Sequence, residues 1–381
     1  MSPFHPSPKS LVARLPRFNG AAFRPGAKLE RESGPLHRMD MAAKAPPQPF
    51  RLQPEWLAHR YDPEYDAVQF VRAERGLRRS VPFLTDEHLP SAGTPQVAGR
   101  QESLAAAVTP SPVHFIFHSA YCCSTLLANA YDREGSASSL KEPVILNDLV
   151  GWRHRGGPPP RVAEVLDHAL RLLARPFESG EATVIKPSNV VNALAPAMMA
   201  MRPEAGCVLL HAPLRVYLGS IAGKGLWGRL WVRELLAKQL KDGLIRLGFE
   251  PEDHLLQTDL QVAAVGWLAQ HQLFAHLAGL HPTRVRTLDS ETLLARPADA
   301  LAAIDGLFHL NDDQAERERI VTSVFGRHAK FGGDFSREDR EAAQRAAADL
   351  HAEEIDKVES WARSVASAAG VNLSLPLPLL G

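Results

Sequence analysis

Four short strand-like runs, separated by long helical patterns, constrain this chain more than any other feature. They cover residues 113–117, 182–185, 207–210 and 284–288. Helical character resumes at residues 125–130, straight after the first run, and residues 226–247 and 260–280 carry long helical patterns. Strands that alternate with helices bury both of their faces only in a parallel sheet with helices on both sides. The expected architecture is therefore three-layer α/β. In such sheets ligands gather outside the carboxyl ends of the strands. Three of the four runs end there in a polar or basic group before a turn: His118, Lys186-Pro187 and His211-Ala212-Pro213.

Composition narrows the function. Among 381 residues, 43 Lys and Arg balance 43 Asp and Glu, so no long-range positive field exists to gather phosphates. A generic nucleic-acid binder is excluded, although a local basic pocket is not. Hydrophobic residues at 45 % and charged residues at 23 % exclude wholesale disorder. No run approaches the roughly 20 apolar residues of a membrane span. Cys122, Cys123 and Cys207 cannot form a disulfide framework and fit a reducing cytosol, so a cytoplasmic location is expected.

Residues 1–49 are rich in Pro, Gly and Arg, and the first acidic residue is Glu30. They lack a secretory apolar core, and their prolines break any amphipathic helix. A disordered arm is expected, or an upstream extension before a start at Met39 or Met41. Residues 50–112 form a folded lead-in with Trp56, Leu57, Tyr61, Phe70, Phe83 and Leu84 as buried anchors and a softer linker at 90–95. Residues 113–381 form the α/β domain. It closes with a helix from Arg337 to about residue 368 and an apolar, Pro-broken tail at 375–380, which docks on the domain or on a second subunit. The oligomeric state stays open.

The segment from Phe117 to Leu127 has the layout of a phosphate-cradling strand, loop and helix. Small residues let backbone N–H groups turn inward, and Ser124 and Thr125 sit where the helix dipole is positive. The pattern G-x-x-x-x-G-K-[ST] is absent, and an ordinary capped turn is the alternative reading.

Four further segments extend this pattern: Lys141-Glu142-Pro143, Lys186-Pro187, the turn from His211 to Ser220, and Lys330-Phe331-Gly332-Gly333. With the loop they resemble the sulfotransferase family over residues 113–350. The resemblance implies a P-loop-like parallel sheet and transfer of a sulfuryl group from 3′-phosphoadenosine-5′-phosphosulfate (PAPS) to an unidentified hydroxyl or amine acceptor, on a small molecule or a protein. It places the 5′-phosphosulfate on Ser119, Ala120, Tyr121, Cys122, Cys123, Ser124 and Thr125. Glu142 becomes the acceptor base, and Lys186 the cation near the bridging oxygen. His211, Arg215 and Ser220 fall in the segment that binds the 3′-phosphate. Lys330, Gly332 and Gly333 fall in the loop over the nucleotide. PAPS arrives activated, so no metal is implied. His118 or His154 is the reserve base.

The chain departs from that pattern where Tyr121 replaces the loop cation, Cys122-Cys123 replace Ser-Gly, and His211 stands at the position of an Arg. The sulfuryl charge is then met by Lys186, Lys141 or Lys224, or is not met at all. Each residue has a plainer reading: Glu142 with Lys141 as a surface ion pair, Lys186 as a solvated strand end, the adjacent cysteines as buried structural thiols. Neither C-x₂-C nor H-E-x-x-H occurs, so no metal site is expected. Two rival functions follow, a P-loop kinase or NTPase and a non-catalytic interaction protein on the same fold.

Overall fold

The computed structural model describes residues 52–89, 94–107, 110–311, 313–326 and 350–381, all within the unit Phe50–Gly381. The expected arm at 1–49, linker residues 90–93, and Lys330, Gly332 and Gly333 lie outside the described residues.

The lead-in is a small antiparallel sheet in the order β1 (Trp56–Asp62), β2 (Ala67–Arg72), β3 (Gln96–Gly99), with helices α1 (Arg75–Ser80) and α2 (Arg100–Ala106). Its Leu57, Ala58, Val68 and Phe70 are buried in the same core as one face of the main sheet. The main chain path then alternates. β4 (Val113–His118) feeds α3 (Ser124–Asn129), and β5 (Ala137–Lys141) feeds α4 (Val144–His154) and α5 (Pro159–Leu173). β6 (Ala182–Lys186) leads through a 3₁₀ turn to α6 (Ala195–Met201). After β7 (Cys207–His211) come α7 (Leu214–Gly223), α8 (Gly225–Lys241), α9 (Asp253–Leu256) and α10 (Asp259–Leu280). β8 (Val285–Asp289) precedes α11 (Ser290–Ala295), α12 (Pro297–Leu307) and α13 (Gln314–Val324), and α14 (Ala352–Ala368) precedes the tail.

The five strands pair in parallel in the order β5-β6-β4-β7-β8. Central β4 is buried at every residue, as a strand covered on both faces must be. Its side chains divide by parity: Phe115 and Phe117 enter one core and Ile116 the other. The first core holds α4, α5 and α6, while the second holds α3, α7, α12 and α14. The three-layer expectation is met.

Two elements differ from the sequence reading, and one alternative that it left open is decided by the structure. β5, Ala-Ser-Ser-Leu-Lys, has no apolar run to announce it, yet all five residues are buried beside β6. The helix expected over 226–247 stops at Lys241, because Gly243 takes a left-handed φ of 67° and the N–H groups of Gly243 and Leu244 close back on Leu240 and Gln239. The 375–380 tail docks on its own domain. The Thr287 N–H bonds the Leu377 carbonyl, and the Leu379 N–H bonds the Thr287 carbonyl, which covers the open edge of β8.

Candidate functional site

The sheet order puts the carboxyl ends of β5, β6 and β4 side by side, and each ends in a group with chemistry to offer. Lys186, at the end of β6, is 1 % exposed, and its ammonium pairs with Glu142 Oε1, one residue beyond β5. The Glu142 side chain keeps 18 % of its surface open, so the pair reaches the mouth of the sheet. The Phe83 ring lies 5.1 Å from the Lys186 Nζ and covers it from the lead-in. His118 ends β4, and its Nε2 lies 3.8 Å from Glu142 Oε1.

The backbone around these groups is strained. Ala120, Tyr121 and Cys123 in the β4–α3 loop take left-handed φ values of 71°, 51° and 61°, and Glu142 takes 53°. None is glycine, so each conformation costs of the order of 1 kcal/mol. Four of the seven such residues among those described lie in this one place. Strained backbone clusters at functional sites, which makes this mouth of the sheet the candidate. By helix geometry, the N–H groups of Ser124, Thr125 and Leu126 at the start of α3 have no carbonyl one turn back to bond.

Other side chains of the loop turn into the protein. The Ser119 hydroxyl accepts the Ala212 N–H at 3.2 Å and donates to the Ala120 carbonyl, sewing β4 to β7. Cys122 is fully buried and donates to the Leu210 carbonyl, and burial pushes its thiol up to about 11. Burial likewise raises the Cys207 thiol. These two are structural thiols. Tyr121, where the family pattern has a cation, packs its ring edge-on against Trp231 and Tyr217 at 5.4 and 6.1 Å.

The remaining candidates divide. Lys141 turns away from the mouth, donating to the Arg79 carbonyl and Asn129 Oδ1, and Glu142 pairs with Lys186 in its place. His154 pairs with Asp242 at the far end of α4. His211 ends β7 against the His271 ring at 5.1 Å, and burial lowers its pKa. Arg215 is held by Asp356 and Glu359 of α14, while the Ser220 hydroxyl donates one turn back to the Val216 carbonyl. His211 and Arg215 line a cavity of about 440 Å³ at the carboxyl ends of β7 and β8, walled on one side by Leu375 and Leu379 of the tail. Its charged lining residues, Arg215, Arg363, Asp289 and Glu359, cancel.

Phe83 and Asn192 are the site residues that sequence reasoning missed. The sequence marks Phe83 only as an apolar anchor. The Asn192 amide donates to the His118 carbonyl and to Gln270 Oε1, each at 2.9 Å. Nothing local marks either, since each meets its partner across more than 70 residues of chain. Among the described residues no group of three or more His, Cys, Asp or Glu could hold a metal ion, and no helix is long and apolar enough to cross a membrane.

No family model matches the chain, and no curated protein matches it. Among solved structures, the sulfotransferase domain from the curacin biosynthetic pathway is similar to it, with a TM-score of 0.41 and 14 % identity, over 70 % of this chain and 99 % of that one.

Proposed function

We propose that this chain transfers a sulfuryl group from an activated phosphosulfate donor, PAPS by the sequence resemblance, to a hydroxyl or amine acceptor. The observation that carries the reading is the Glu142–Lys186 pair, which opens at the carboxyl end of a parallel sheet beside a strained loop. A donor of this kind supplies the sulfuryl group already joined to a phosphate leaving group. The chain's own task is then positioning and electrostatics.

The Lys186 ammonium, buried and shielded by Phe83, neutralises charge on the departing phosphate oxygens. The N–H groups at the start of α3 hold the anionic end. As Lys186 turns to the anion it gives up its hold on Glu142, and the freed carboxylate accepts the proton of the attacking hydroxyl or amine. The two ends of PAPS fit unequally. The sulfuryl end would face the amides at the start of α3 and a Lys186 shared with the single carboxylate of Glu142, whereas at the positions proposed for the 3′-phosphate Arg215 is held by two carboxylates, Asp356 and Glu359, and the Ser220 hydroxyl is spent on its own helix.

That second point, together with the packed ring of Tyr121, favours the alternative of a non-catalytic interaction protein on the same fold. Calorimetry with 3′-phosphoadenosine-5′-phosphate and turnover assays with PAPS separate the two. Lys186→Ala is expected to weaken binding and to lower turnover about 100-fold or more. Glu142→Gln is expected to lower turnover by about 100-fold while binding the nucleotide at least as tightly, since it frees Lys186. Absence of binding at millimolar nucleotide retires the reading.

A further inference from the structure

β4 and β6 pair in parallel only as far as Phe115 and Ile185. The next residues of β6 are Lys186 and Pro187, and a proline has no N–H to continue a ladder. β4 nevertheless runs on to His118, where the loop begins. Over this last stretch the His118 side chain bridges the two strand ends. His118 Nε2 lies 3.1 Å from the Pro187 carbonyl, and the Ala120 N–H points at His118 Nδ1 over the same distance.

These partners determine the tautomer. A backbone N–H can only donate, so Nδ1 carries a lone pair. A carbonyl can only accept, so Nε2 carries the hydrogen. Both ring nitrogens are thus engaged, one on the first left-handed residue of the loop and the other next to Lys186. The residue itself is anchored from behind, because Asn192 holds its carbonyl and is held by Gln270 of α10.

We propose that His118 is a positioning residue, a clip that sets the spacing between the loop amides and the Lys186 ammonium, rather than a reserve base. Its Nδ1 side holds the loop, and its Nε2 side holds the end of β6. The assignment of function to each side rests on the sulfuryl-transfer reading, whereas the clip itself does not.

Two amide variants cut the clip on one side each. In His118→Asn the side-chain oxygen stands near Nδ1 and still accepts the Ala120 N–H, but nothing reaches Pro187. In His118→Gln the amide nitrogen stands near Nε2 and still donates to Pro187, but the loop bond is lost. For the full chain, His118→Gln is expected to raise the donor KM, and the calorimetric Kd for 3′-phosphoadenosine-5′-phosphate, by about 10-fold with a smaller change in kcat. His118→Asn is expected to lower kcat by about 10-fold and to leave that Kd within about 3-fold. A purely structural histidine moves both variants in the same direction, and that result overturns the proposal. Long-range ¹H–¹⁵N spectra of the unaltered chain give a second reading without activity. The Nε2–H tautomer is expected, and an Nδ1–H tautomer sinks the clip. If the unaltered chain does not bind the nucleotide, the sulfuryl-transfer reading falls with the assigned sides, and the tautomer alone decides the clip.

Discussion

Lys141 and Lys186 end neighbouring strands in register, yet their ammonium groups meet different surroundings. Lys186 has a carboxylate and an aromatic face; Lys141, 2 % exposed, has only a carbonyl and an amide oxygen. Burial therefore lowers the Lys141 pKa from 10.5 to about 8; the charge of Asp132 opposes the shift, and repulsion from Lys186 and Arg79 adds to it. Below pH 8 the ammonium is charged in both the folded and the unfolded chain, so its burial cost is present in full. Between pH 8 and 10.5 the folded chain sheds a proton that the unfolded chain keeps, and stability rises with pH, by up to about 3 kcal/mol. Because the buried thiols of Cys122 and Cys207 pull the other way, the expected result in chemical denaturation is that the unaltered chain gains stability relative to Lys141→Met across this range. Parallel pH profiles for the two would mean that Lys141 is solvated after all. Glu142 shows the other side of residue-scale control. Its left-handed backbone follows Lys141 directly and brings its carboxylate to the ammonium of the next strand.

The tail illustrates what an element does for a sheet. An exposed parallel edge leaves a row of N–H and C=O groups without partners and invites pairing with another chain. On β8 this row is met by Leu377 and Leu379, and the Thr287 hydroxyl adds a bond to the Pro376 carbonyl at 2.8 Å. The two prolines of Leu-Pro-Leu-Pro-Leu-Leu, 376 and 378, do not interfere, because the donors used here are the leucine at 379 and the threonine of β8. Truncation after Asn372 is expected to speed hydrogen exchange at the Thr287 amide by about 100-fold or more, because its protection would then come only from local fluctuation. It should also open the cavity that Leu375 and Leu379 wall. Unchanged exchange at Thr287 would show that the edge is protected by something other than the tail.

For the whole molecule, the lead-in and the main sheet share a core and a buried charge network, so they are expected to unfold as one cooperative body. Arg75 of α1 reaches Asp132 at 3.1 Å, Glu181 at 2.5 Å and the Ala137 carbonyl at 2.8 Å, and Glu181 is completely buried. Glu181 also accepts the Gly135 and Phe177 N–H groups. Removing the guanidinium leaves a buried carboxylate without its cation, at a cost of about 3–5 kcal/mol. Arg75→Met is expected to lower the unfolding free energy by about that amount, with circular dichroism and tryptophan fluorescence still reporting one transition. Two separated transitions in the unaltered chain would mean that the lead-in is an independent domain. The shared core also places Phe83 over Lys186, so the lead-in segment reaches the candidate site.

Much of this was legible in local order. Short continuous apolar runs with β-branched or aromatic residues mark β4, β6 and β7, long helical patterns mark α8 and α10, and the groups at the strand ends point to the site, since all of these depend on neighbours a few residues away. β5 escaped that reading because two serines carry no apolar signal. The contacts that make the mouth of the sheet a site depend on strand order. Glu142 meets Lys186 from 44 residues away and Phe83 covers it from 103, whereas the Arg215 guanidinium and the Ser220 hydroxyl, singled out through the family resemblance, are engaged with α14 and with their own helix. The sequence by itself determined which segments become strands and helices and which polar groups end them. Only the tertiary structure decided which ends stand together, because a side chain's pairing partner is set by how separate elements pack and not by the residues beside it in the chain.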